Sequence, residues 1–235
     1  MAILGVEPGA QEVHVTSHSH IVANNSDIVF PPAARRAQAE RSSAGLYAKR
    51  IAAGFPDRLS PELADFIADL DTAFLATVSA AGAPYSQHRG GPKGFIKVLD
   101  ERTLGFADYA GNRQYITISN LADNDRAYLF LLDFAARRRI KIWGRARVVE
   151  NDPALLTRLA DPGYRARPER AILFTVEAWD VNCTQHITAR FTASEVADAT
   201  VVLRERIAAL EAENARLRAH TVSSELPESE AAVRA

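Results

Sequence analysis

The chain has 235 residues, a near-average apolar share and a formal net charge of −1. It can bury one sizeable core, and nothing global draws it to nucleic acid or to an anionic membrane, so any anion site must be local. Cys183 is the only cysteine, which excludes an internal disulfide and a thiolate-rich metal site. No apolar run approaches the roughly 20 residues that span a bilayer, and no basic-then-apolar leader opens the chain, so no membrane partner and a cytoplasmic location are expected.

Residues 1–29 lack a clear helical period and read as a loosely ordered arm or one short strand. His14, His18 and His20 fall here, but no carboxylate or thiolate shares the HVTSHSH run, so a solvated arm is expected and no metal site. The pattern predicts a helix over 32–53, with Gly54 just past its end. Ser60-Pro61 marks the cap and first position of another, whose Leu63, Phe66, Ile67 and Leu70 share one face.

Strands are predicted over 74–79, from Tyr85, over 94–99 and over 103–107. No helix separates them, which argues for an antiparallel meander and against a doubly wound sheet. Between the second strand and the residues past the fourth lies QHRGGPKGFIKVLDERTLGFADYAGNR, from Gln87 to Arg113. Its turns at Arg89-Gly90-Gly91-Pro92 and Gly111-Asn112-Arg113 place two cations where one anion could lie between them. An ordinary Gly/Pro turn with two solvated arginines explains the same residues.

A short helix is expected over 112–122, then strands over 127–133 and 137–150. Alternation in the latter puts Arg139, Lys141 and Trp143 on one face, opposite Ile140 and Ile142. That face reads either as a ligand wall or as a solvated exterior. A helix opened by Asp152-Pro153 and a last strand over 171–182 complete the pattern. The fold class expected is mainly β with peripheral helices, α+β: a closed or nearly closed antiparallel barrel of about six strands.

The C-terminal segment changes period. Leu203, Ile207, Leu210, Asn214 and Leu217 fall four and three residues apart, a coiled-coil seam of two to three heptads with Ile207 and Asn214 at a positions. Arg206 would face Glu211 of a parallel partner, and Glu213 would face Arg218. Self-association is expected, with packing on its own barrel as the alternative. Beyond His220 the tail is rich in serine, glutamate and alanine, and disorder is expected.

Three segments, FLATVSAAGAPYSQHRGGPKGF, FADYAGNRQYITISNL and RRRIKIWGRARVVE, occur in this order, and with VNCTQHITARF they resemble the FMN-binding split-barrel superfamily of pyridoxamine 5'-phosphate oxidase-like proteins. The resemblance covers about 59–191. Taken with the pattern already read, the resemblance divides the chain into an N-terminal arm and helix over 1–58, the barrel over 59–191, a dimerisation helix over 192–220 and a tail over 221–235. It also implies a homodimer with FMN at the subunit interface and a small-molecule substrate.

On matching positions, Gln87, His88 and Arg89 would meet the flavin, and Gly90 and Gly91 would let backbone approach its ring. Asn112 and Arg113 stand where the oxidases carry a basic pair for the phosphate, with Asp108 and Gln114 beside them. Arg139 and Lys141, with Trp143, match a strand that reaches the flavin of the other subunit. The oxidase signature on the second strand is replaced by QHRGGPK, and no Arg-Leu-x-Pro occurs near the C-terminus, so oxidation of pyridoxamine phosphate is not expected. No Gly-x-Gly-x-x-Gly fingerprint names a nicotinamide donor. The reading is an FMN-dependent oxidoreductase; the alternative is a carrier of flavin or haem without turnover, with His88 or His186 as axial ligand.

Overall fold

The structure, a computed structural model, describes residues 24–181 and 184–224. His14, His18, His20, Cys183 and the tail beyond Ser224 lie outside the described residues. Two compact units divide the chain, one formed by Met1–Leu131 with Ile140–Val181 and the other by Leu132–Arg139 with Asn182–Ala235.

The first unit carries helices α1 (Ser26–Val29), α2 (Pro32–Glu40), α3 (Ala44–Ala53) and α4 (Pro61–Ala68) before the first strands. The single helix expected over 32–53 is two. The break falls at Arg41-Ser42-Ser43, where Ser42 is left-handed (φ 57°) and the Ser43 amide donates to the Gln38 carbonyl at 2.8 Å. Serine side chains that can bond nearby backbone compete with helix continuation. Helix α4 starts as expected, with Ser60 Oγ accepting from the Leu63 amide at 3.2 Å. Its Leu63, Phe66 and Ile67 are buried.

Among the described residues, seven strands form one antiparallel sheet: β1 (Thr72–Val78), β2 (Pro84–Gly90), β3 (Lys97–Val98), β4 (Thr103–Tyr109), β5 (Arg126–Asp133), β6 (Arg138–Val149) and β7 (Pro168–Val181). Helix α5 (Ile116–Asp123) precedes β5 and α6 (Pro153–Leu159) precedes β7. The α+β antiparallel class is as expected. The simple meander is not, because the order is β2-β1-β5-β6-β7-β4-β3 and the sequential strands β2 and β3 stand at opposite ends. A long strand over 94–99 is also absent: Gly94 is left-handed (φ 72°), its amide turns back to the Leu70 carbonyl at 2.8 Å, and only Lys97 and Val98 pair.

Alternation sorts the faces. Leu75, Leu129, Leu131, Ile140, Ile142, Phe174 and Val176 point into one core with Ile67, each worth about 1.5 to 3 kcal/mol on full burial. Gly144 sits at a register shift in β6, where a Cβ would stand 2.0 Å from the Thr175 carbonyl oxygen. No helix among the described residues is long and apolar enough to cross a membrane.

In the second unit, residues 132–139 form the tip between β5 and β6, turned by Asp133 Oδ1 accepting from the Ala136 amide at 2.9 Å. The Arg190 guanidinium lies 4.9 Å from the Phe134 ring centroid. Helix α7 (Ala193–Ser224) makes up most of the rest. It opens on a capping box: the Thr192 amide donates to Glu195 Oε2 at 2.7 Å, and the Glu195 amide donates to Thr192 Oγ1 at 3.2 Å.

Candidate functional site

No backbone ladder joins β2 to β4. Side chains cross the gap instead. In β2, Tyr85, Gln87 and Arg89 share the inward face because Leu75 and Ala73 of β1 stand opposite Gln87 and Arg89. Arg89 Nη1 reaches Asp108 Oδ1 of β4 at 2.6 Å, and Arg89 Nη2 donates to Gln87 Oε1 at 3.0 Å. On β7, Arg170 stands opposite Asp108 and approaches its other oxygen, Oδ2, at 3.5 Å. One carboxylate thus holds two arginines from two different strands.

Beyond this ion triad the loop 111–115 closes a cleft. Arg113 and Tyr115 are both left-handed, with φ 57° and 55°, a conformation that costs a non-glycine residue roughly 1 to 2 kcal/mol. Asn112 Oδ1 accepts from the Gln114 amide at 3.2 Å. The helix expected over 112–122 therefore begins only at Ile116, with Tyr115 as its N-cap. Amides at the first positions of α5 have no carbonyl one turn back, so Ile116, Thr117 and Ile118 present donors where they line the cleft. Buried Thr117 donates from Oγ1 to Gln87 Oε1 at 3.0 Å.

Of the residues expected at the site, Gln87, Arg89, Asp108, Asn112, Arg113 and Gln114 line this one cleft. Arg113 is exposed and makes no ion pair among the described residues. Arg89 is largely buried, and its Nε has no hydrogen-bond partner among the described residues. Sequence reasoning missed Arg170, Tyr109, Tyr115, Thr117 and Glu169. Arg170 also bonds Glu169 Oε2 at 2.9 Å and lies 5.5 Å from the Tyr115 ring centroid. Burial pushes the Tyr109 phenol above its ordinary pKa, although the Asp161 backbone opposes the shift.

The remaining candidates lie elsewhere. His88 is one residue out of phase with Gln87 and Arg89, so it faces outward: Nε2 lies 2.9 Å from Thr72 Oγ1, and the ring meets Phe74 edge-on at 5.7 Å. Gly90 and Gly91 are filled from within, because a Cβ would stand 2.8 Å from His88 Cε1 at the first and 2.7 Å from Phe95 Cβ at the second. The packing of the chain itself thus calls for glycine at 91, while at 90 the nearest atom is the tip of a side chain that can swing aside, with the Asp71 carbonyl oxygen next at 3.2 Å. Arg139, Lys141 and Trp143 do not join the cleft either. Their strand face points outward, Lys141 Nζ lies 3.5 Å from Asp180 Oδ2 and 5.3 Å from the Trp143 centroid, and Trp143 meets Tyr128 at 5.3 Å. Tyr128, Phe130, Phe74 and His88 carry this aromatic row across β5, β1 and β2.

A family model described as pyridoxamine 5'-phosphate oxidase matches residues 59–183, just over half of the chain. No curated protein matches. Among solved structures, HupZ of Group A Streptococcus is 18% identical, with 56% of this chain and 98% of that one covered and a TM-score of 0.44. An FMN-binding protein from Syntrophomonas wolfei is 11% identical over 52% and 87%, with a TM-score of 0.42. HutZ, the haem storage protein from Vibrio cholerae, is 18% identical over 53% and 94%, with a TM-score of 0.37.

Proposed function

The chain belongs to the pyridoxamine 5'-phosphate oxidase family of split barrels, and on that premise we propose that it is a homodimeric FMN-dependent oxidoreductase acting on a small organic substrate. The observation that carries the reading is the convergence of Arg89, Arg113 and Arg170 on one cleft walled by the strained loop 111–115 and the start of α5. Three arginines against the carboxylates of Asp108 and Glu169 leave the lining cationic, which suits a phosphate ester.

The donor set fits the group. Arg113, exposed and unpaired, would hold the FMN phosphate, with the open amides of Ile116–Ile118 beside it. Arg89 is held in place by Asp108 and Gln87, and its buried Nε is a donor still to be used. Gln87 Oε1 is taken by Arg89 and Thr117, which turns its amide nitrogen out as a further donor. Bound FMN supplies hydride-transfer chemistry at its ring, while the protein binds and orients it. Lys141 and Trp143, outward on β6, stand on the strand that the family resemblance assigns to the flavin of a second copy. Haem on His88 is favoured less, since its Nε2 lies 2.9 Å from Thr72 Oγ1 and its ring meets Phe74.

The test is anaerobic reduction of the FMN-loaded protein with a panel of nicotinamide and deazaflavin donors. Bleaching of the flavin by at least one donor supports an oxidoreductase. Bound flavin that none of them reduces replaces this reading with simple carriage.

A further inference from the structure

Helix α7 runs for 32 residues, about 48 Å at the rise of an α-helix. Its apolar residues are uncovered: Leu203 is 62% exposed, Ile207 55%, Leu210 40% and Leu217 56%. A helix that packs on its own sheet buries a broad stripe, whereas these residues occupy a strict a/d line, the narrower seam of a two-helix contact. Val201 and Val202 fall off that line.

The capping box at Thr192 and Glu195 sets where the helix begins, and the same register extends the seam in both directions. Val196 takes the d position before Leu203, Thr200 the a position before Ile207, and Thr221 the a position after Leu217. Threonines in a seam would ordinarily leave hydroxyls to be satisfied. Here Thr200 Oγ1 donates to the Val196 and Ala197 carbonyls at 2.9 and 3.0 Å, and Thr221 Oγ1 to the Leu217 carbonyl at 3.0 Å. Both hydroxyls are spent on their own helix and can enter an interface without a partner there. Asn214 differs: its amide makes no hydrogen bond among the described residues.

We propose that α7 pairs with α7 of a second copy of this chain as a parallel, in-register coiled coil from Val196 to Thr221, with Asn214 facing Asn214. Flanking charge agrees, because Arg206 at g meets Glu211 at e of the partner and Glu213 at g meets Arg218 at e. Charge alone does not fix direction, since an antiparallel pairing would set Arg206 against Glu213 and Arg204 against Glu211. Asn214 fixes it. Antiparallel, with Ile207 opposite Leu210, Asn214 faces Leu203 and its amide is buried without a partner; parallel, two amides satisfy each other. This pairing does not depend on the flavin reading.

The experiment uses full-length protein carrying Cys183→Ser. Leu217→Cys, at a d position, should oxidise to a covalent dimer under mild oxidant, while Ala212→Cys, on the opposite side of the helix, should remain monomeric under denaturing electrophoresis. Adding Glu213→Arg to Leu217→Cys should slow cross-linking several-fold, and adding Arg218→Glu as well should restore the rate. Failure of Leu217→Cys to cross-link, equal cross-linking of Ala212→Cys, or failure of Arg218→Glu to rescue, the antiparallel outcome, would each overturn the proposal.

Discussion

Arg89 of β2 and Asp108 of β4 lie 2.6 Å apart across the one gap between these strands that no ladder closes. Both side chains are nearly buried, at 15% and 11% exposure, and the same carboxylate also faces Arg170. The pair therefore ties the edge strand β2 to β4, the neighbour of the opposite edge strand β3, and sets the arginine that borders the cleft.

Asp108→Asn should lower stability by about 3 kcal/mol, because it leaves the largely buried Arg89 guanidinium without its counter-charge, while Arg170 keeps Glu169 at 2.9 Å. Urea unfolding measures this. The cleft gains net positive charge, so phosphate affinity should not fall with stability. A loss below about 1 kcal/mol would mean that water screens the pair.

Gly144→Ala tests the bulge in β6. A methyl group there would stand 2.0 Å from the Thr175 carbonyl oxygen and 2.7 Å from Phe174 Cε1, so backbone must move rather than a flexible side-chain tip. The expected cost is about 3 kcal/mol or more, read from the shift in the urea midpoint.

Tyr109 makes a pH prediction. Its folded pKa is raised, chiefly by burial, so as pH rises the unfolded chain ionises first and the folded chain keeps its proton. Stability is complete below the ordinary phenol pKa and falls as pH climbs through the folded value. Thermal melts between neutral pH and about pH 11 should show a smaller alkaline loss for Tyr109→Phe than for the parent. Equal losses would place the titration elsewhere.

Much of this was legible in the sequence, for identifiable reasons. Strand alternation put Lys141 and Trp143 on the face opposite Ile140 and Ile142, leaving open whether that face was a ligand wall or an exterior, and the Ser60-Pro61 and Asp152-Pro153 caps marked α4 and α6. Arg170 was not legible, since its role exists only once β7 pairs with β4 and sets it opposite Asp108. The later start of α5 was hidden by a helical composition over 112–122 that two left-handed residues override. Gly90 and Gly91 suggested room for a ligand, but at Gly91 the place a Cβ would take is filled by Phe95, whose own Cβ stands 2.7 Å away.

Arg113 separates binding from folding. It is exposed and left-handed, so Arg113→Gly removes the cation while relieving about 1 kcal/mol of backbone strain. Stability should hold or rise slightly, whereas Arg113→Ala should remove the charge and retain the strain. Urea unfolding of the two variants checks the order.

FMN titration of the full-length protein, followed by quenching of flavin fluorescence, measures whether the cleft at Arg113 holds the cofactor. Uptake of one FMN per chain is expected, weakened about ten- to a hundredfold by either Arg113 variant because a charge-assisted contact worth about 1.5 to 3 kcal/mol is lost. Parent protein that takes up no FMN, or an Arg113→Gly variant that binds FMN as tightly as the parent, would contradict it.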